Sequence, residues 1–164
     1  MARNHIPLIR SWDNNVNNKL EAPQSNANNS HNIRRRQIRS DKCRDIKFPV
    51  NQNEQVRLKS ACKQTDTYYK KIYGYEEKLT QTHFNTLLLK YALKNIHEIN
   101  WSRSYKDTKV YMHVKPLERD YEQLGGPYGL STKQAISDRK LVYILVISIL
   151  ELLERKGDYQ IVLL

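Results

Sequence analysis

Two short alternating stretches hold the side chains best placed for chemistry. In Ile46-Lys47-Phe48-Pro49-Val50 and Val110-Tyr111-Met112-His113-Val114, apolar residues alternate with others at a period of two. That period is the mark of a half-buried strand. Ile46, Phe48, Val50, Val110, Met112 and Val114 then face a core. Lys47, Pro49, Tyr111 and His113 face outward, with Asp45 and Lys109 at the ends. Lysines can donate to guanine acceptors or to phosphate. Tyr111 and His113 can hydrogen-bond or lie against a thymine methyl, and Asp45 can accept from cytosine or simply turn the chain. A strand of about five residues is unstable alone. The simplest arrangement pairs the two stretches antiparallel, giving a ribbon of the width that the major groove of B-DNA admits. The alternative is an ordinary amphipathic ribbon with a wet polar face. A one-residue slip would exchange the faces.

Two further sets could hold phosphate. Thr80 and Thr82 stand at the start of one helical stretch, and Ser131, Thr132 and Ser137 near the start of another. Helix N-termini offer unpaired N–H groups and positive partial charge, although N-capping alone also explains such residues. The run Arg34-Arg35-Arg36-Gln37-Ile38-Arg39, with Arg44, could form an arm along phosphates. Its alternative is a solvated linker.

Composition points the same way. The formal net charge is +11 and the pI about 9.6, which implies an acidic partner such as nucleic acid or an anionic membrane surface. The apolar run Leu141–Leu150 falls short of the roughly 20 residues needed to span a bilayer, and no membrane association is expected. Cys43 and Cys62 make no ligand spacing, and His5, His31, His83, His97 and His113 are scattered. No metal, cofactor or enzymatic activity is expected, because no catalytic motif can be named. Gly125-Gly126-Pro127 reads as a turn rather than a phosphate cradle. Tyr68, Tyr69, Tyr73 and Tyr75 could stack on single-stranded bases, but packing at helix ends is the favoured reading. The N-terminus carries no apolar stretch of signal-peptide length, so a cytoplasmic, reduced protein is expected.

The elements that must position these residues follow in order. Residues 1–43 are Asn-rich and poor in apolar residues, and read as a disordered basic arm. Residues 44–164 form the ordered domain. A first strand–helix–helix unit spans 44–96. Its first helix is capped by Asn51 with Glu54, carries a buried stripe of Leu58, Ala61, Cys62, Thr65, Tyr69 and Ile72, and stops at Gly74. Its second helix follows Thr80 or Thr82. A polar link spans 97–108. A second unit spans 109–156, with Pro116 at a first helical position, Ser131 capping a further turn, and Ser137 opening a last helix that is apolar almost all round. Residues 157–164 form a C-terminal tail. The fold class is mainly α with a two-stranded antiparallel ribbon.

This plan resembles the ribbon–helix–helix DNA-binding family, the Arc and MetJ class. The first unit runs from Ile46 through Glu54, Leu58 and Ala61 to Thr80 and Leu93, the second from Val110 to Leu153. In that family two units intertwine and their strands pair as the groove-reading ribbon. Here one chain resembles the fused tandem members of plasmid conjugation proteins. Pro49 stands where the family usually places a polar reader, Thr65–Leu79 is longer than the usual first helix and turn, and the helix after Val114 is short. The resemblance implies a partner of double-stranded DNA, and a monomeric pseudo-dimer or a homodimer that can line up on repeated sites. It implies a repressor reading operator DNA, or an accessory protein at a transfer or replication origin working with a relaxase. An antitoxin-like interaction module is the remaining reading.

Overall fold

The computed structural model describes residues 42–164. Strand β1 (Ile46–Pro49) leads into α1 (Gln52–Tyr73) and α2 (Gln81–Lys94), and a 3-10 turn at Ile96–Glu98 opens the link to β2 (Tyr111–Val114). Then come α3 (Glu118–Gly125), the short α4 (Leu130–Lys133) and α5 (Asp138–Lys156).

Local chemistry sets the boundaries. Asn51 caps α1 reciprocally with Glu54: the Glu54 N–H donates to Asn51 Oδ1 and the Asn51 N–H to Glu54 Oε2, both at 2.8 Å. That satisfies two donors that a helix start otherwise leaves unpaired. Thr80 caps α2 and Ser137 caps α5. The φ of Gly157 is +68°, the left-handed turn that ends α5 at low cost only for glycine.

The strands pair antiparallel, with Ile46 opposite Val114, Lys47 opposite His113, Phe48 opposite Met112 and Pro49 opposite Tyr111. The ladder continues past both strand ends. The Val50 N–H donates to Val110 O at 2.9 Å, the Arg44 N–H to Pro116 O at 3.0 Å and the Glu118 N–H to Lys42 O at 2.9 Å. Even-numbered residues of β1 therefore occupy hydrogen-bonded pairs and odd-numbered ones do not. Pro49 falls at a position whose backbone nitrogen points away from β2, so its missing N–H costs no ladder bond.

The core is crossed. β1 packs on α5, β2 packs on α2, and α2 and α5 pack on each other. Each strand is thus held by the last helix of the stretch that the other strand opens. Every residue from Leu141 to Leu150 is buried, which makes α5 the centre of the domain. Phe48, Leu58, Phe84 and Leu88, on β1, α1 and α2, are also fully buried, each worth about 1.5–3 kcal/mol of burial. The buried carboxylate of Glu54 also accepts from the Tyr143 hydroxyl at 2.8 Å, tying the α1 cap to α5.

Several expectations from sequence need correction. Pro116 is buried just before the helix, and Leu117 is the N-cap of α3. Ser131 does not cap α4. It is buried inside it, and Gly129 takes the cap position. Ile72 is 54 % exposed rather than part of the buried α1 stripe. The link is less polar in effect than in composition, since Ile99 is buried and Trp101 and Tyr105 pack against the core. The final segment likewise buries Val162. Among the described residues, no helix is long and apolar enough to cross a membrane.

Candidate nucleic-acid interface

The outward face of the ribbon carries the side chains that alternation assigns to it. Lys47, Lys109 and Tyr111 are exposed, and His113 is half-exposed. Asp45 Oδ1 lies 3.0 Å from His113 Nδ1, a bond between strands on that face. The Tyr111 hydroxyl donates to Asp107 at 3.3 Å. Pro49 differs: it is buried opposite Tyr111 and offers no surface to a ligand. Lys115 extends the set. It is exposed, two residues beyond His113 and so on the same face. Three lysines therefore share this face with one tyrosine, one histidine and one carboxylate in a bond with that histidine.

The outer edge of β2 is sealed by α2. Asn85 Nδ2 donates to His113 O at 3.1 Å, and the Lys115 N–H donates to Thr86 Oγ1 at 2.9 Å. Both α2 residues are buried. Pro49, on the outer edge of β1, has no N–H to satisfy, and the helix packed on that strand is α5.

This seal sets the start of α2 beside the ribbon. Thr80, Thr82, His83, Thr86, Lys90 and Lys115 line one cleft. Two lysines and a helix N-terminus converging on an open cleft suit an anion such as phosphate. Partial burial and the nearby Lys90 hold the His83 imidazole below its ordinary pKa.

Comparison with protein-family models, with curated proteins and with solved structures gives no match. The geometry alone therefore carries the functional reading of the interface.

The start of α5 is built differently from that of α2. Asp138, in its first turn, accepts the Tyr121 hydroxyl at 2.7 Å, and its carboxylate already answers the helix dipole. A Cβ on Gly125 would stand 2.6 Å from Asp138 Oδ2 and 2.7 Å from the Tyr121 hydroxyl, so only glycine leaves room for this pair. Ser137 accepts from the Lys140 N–H at 3.4 Å, Thr132 donates to Gly126 O at 3.3 Å, and Ser131 is buried.

Arg44 is also committed. Its guanidinium grips Glu118 through Nε and Nη2, at 3.0 and 2.6 Å to Oε1, and lies 3.9 Å above the Tyr121 ring. The hydrogen bond from Arg44 holds the Glu118 carboxyl below the usual carboxylate range. Arg34, Arg35, Arg36 and Arg39 lie outside the described residues.

Sequence reasoning missed Lys90 and Lys115. Lys115 was within reach by carrying the alternation of β2 two residues further. Lys90 was not, because only the docking of α2 on the β2 edge brings it to the cleft.

Proposed function

We propose that this protein binds double-stranded DNA sequence-specifically, with its two-stranded ribbon in the major groove, as a ribbon–helix–helix protein carrying both units in one chain. The observation that carries this reading is the pairing of β1 with β2 in a register that turns Lys47, Lys109, Tyr111, His113 and Lys115 to one outward face. The crossed packing of β1 on α5 and β2 on α2 supports the fused arrangement, since two intertwined units need each strand held by the other unit's helix. The ribbon reads base edges, and the α2 cleft fixes one flanking phosphate.

Repression of transcription from an operator is the first biological reading. An accessory role at a plasmid transfer or replication origin, beside a relaxase, is the second, and one observation favours it. The two ribbon strands present different residues, and a cleft lined by Lys90 and Lys115 adjoins β2 at the start of α2. An asymmetric reader matches a site with a direction better than a palindrome.

Selection of bound duplexes from a random pool, at about physiological salt where nonspecific binding is weak, tests the reading. A short enriched motif is expected, and its position over a promoter or beside a nick site separates the two roles. No enrichment, with binding that vanishes as salt rises, would leave only a nonspecific basic surface.

A further inference from the structure

The tip of α1 exposes aromatic surface that the fold does not use. Tyr73 is 54 % exposed and Tyr75, just past the helix end, 83 %. These rings are arranged rather than scattered. Tyr73 and Tyr69, one helical turn apart, have ring centroids 4.5 Å apart, and Tyr69 meets His83 edge-on at 5.7 Å. His83 lines the basic cleft at the start of α2. An aromatic strip therefore runs from the tip of α1 to the phosphate cleft beside the ribbon.

Charge accompanies the strip. Lys71 Nζ lies 5.5 Å over the ring of Tyr68, the residue before Tyr69, and Lys78 is exposed three residues past Tyr75. Of the acidic groups, Asp66 is held by Lys70 Nζ and by the Leu79 N–H, both at 2.8 Å. Those bonds pin the loop that carries Tyr75. Glu76 and Glu77 are exposed, and burial first, then the nearby Glu77, raises the pKa of the Tyr69 phenol.

We propose that this strip is a second nucleic-acid contact, which stacks unpaired bases of a single strand adjoining the duplex held by the ribbon. Exposed tyrosines with lysines close by are what such a strand needs. Every base offers a face to an aromatic ring, and the lysines follow its phosphates. Bases inside a duplex are already stacked on each other and cannot use Tyr73, so the strip adds nothing on blunt DNA. The inference rests on the ribbon reading, because continuity with the α2 cleft decides where the strand must emerge. It also fits a site where duplex meets opened strand.

The test compares a blunt duplex of the selected sequence with the same duplex bearing an overhang of about ten thymidines on either end. The full chain should bind one overhang form about tenfold more tightly, the effect of roughly one stacked base. Tyr73→Ala and Tyr75→Ala should remove that gain without changing affinity for blunt duplex, and Tyr73→Phe should keep it. Both positions are exposed, and unchanged thermal midpoints would show that the variants fold. Equal affinity for blunt and overhang DNA would overturn the proposal and leave the ribbon reading standing. So would a Tyr73→Ala variant that keeps the gain but loses self-association, since the strip would then be an interface between copies. Failure to bind any of these DNAs would overturn the ribbon reading itself.

Discussion

The backbone N–H of Lys115 donates to Thr86 Oγ1 at 2.9 Å. This bond, with that from Asn85 to His113 O, turns one edge of a two-stranded ribbon into the wall of a basic cleft. Sheet edges left open invite pairing with other chains. Here α2 closes the edge of β2, and the same contact sets Lys115 beside the stretch of α2 that carries Thr80, Thr86 and Lys90.

Replacing Thr86 with Val keeps its shape and removes the acceptor. The Lys115 N–H then loses its partner, and the variant should be destabilised by roughly 1–3 kcal/mol. Chemical denaturation measures this. Amide exchange at Lys115 should accelerate more than at Ile46 or Phe48, whose bonds lie inside the ladder.

Lys115→Ala should weaken binding to specific and random duplexes alike. It should lower the slope of log affinity against log salt by about one, the signature of one lost phosphate contact. Lys90→Ala should do less, because Lys90 Nζ is already 3.9 Å from Asp120 Oδ2. A loss confined to one DNA sequence would place Lys115 among the base readers instead.

The Tyr143 hydroxyl predicts a window of alkaline sensitivity. Burial, then the bond to Glu54, pushes its pKa up to about 12 from an ordinary 10. Below pH 10 the phenol is neutral in both the folded and the unfolded chain, and its contribution is fully present. As pH rises from 10 through about 12, the unfolded chain ionises first and stability falls. Tyr143→Phe should cost about 1 kcal/mol at neutral pH. The gap between variant and native thermal midpoints should close across that alkaline range. A gap constant with pH would refute the assignment.

Much of the fold was legible because local rules and packing agree in it. The β1–β2 pairing followed from alternation plus the need of each strand for a partner. Asn51 and Glu54 announced α1 at the right residue, and the unbroken apolar run of α5 announced its burial. The misses share one cause, which is that tertiary contacts overrode local preference. Pro116 suits a helix start by its fixed φ, yet it is buried in the ladder against Arg44 and the helix waits for Leu117. Ser131 reads as a cap, yet Gly126 and Gly129 fold the chain so that it points inward. Pro49 sits at an outward position of the alternation, yet is covered opposite Tyr111. In the candidate site, the ribbon face followed from a period of two. The cleft joins Thr80 to Lys115 across 35 positions of sequence, and no local signal links them.

The central claim is that the ribbon face reads bases. Selecting DNA from a random pool with the native chain and with Lys47→Ala and His113→Ala tests it most directly. Each variant should enrich a motif that has lost information at one or two adjacent positions and kept the rest, with a penalty at those positions of roughly 1–3 kcal/mol in the native chain. Motifs identical to the native one, with affinity lowered equally for every sequence, would contradict the account.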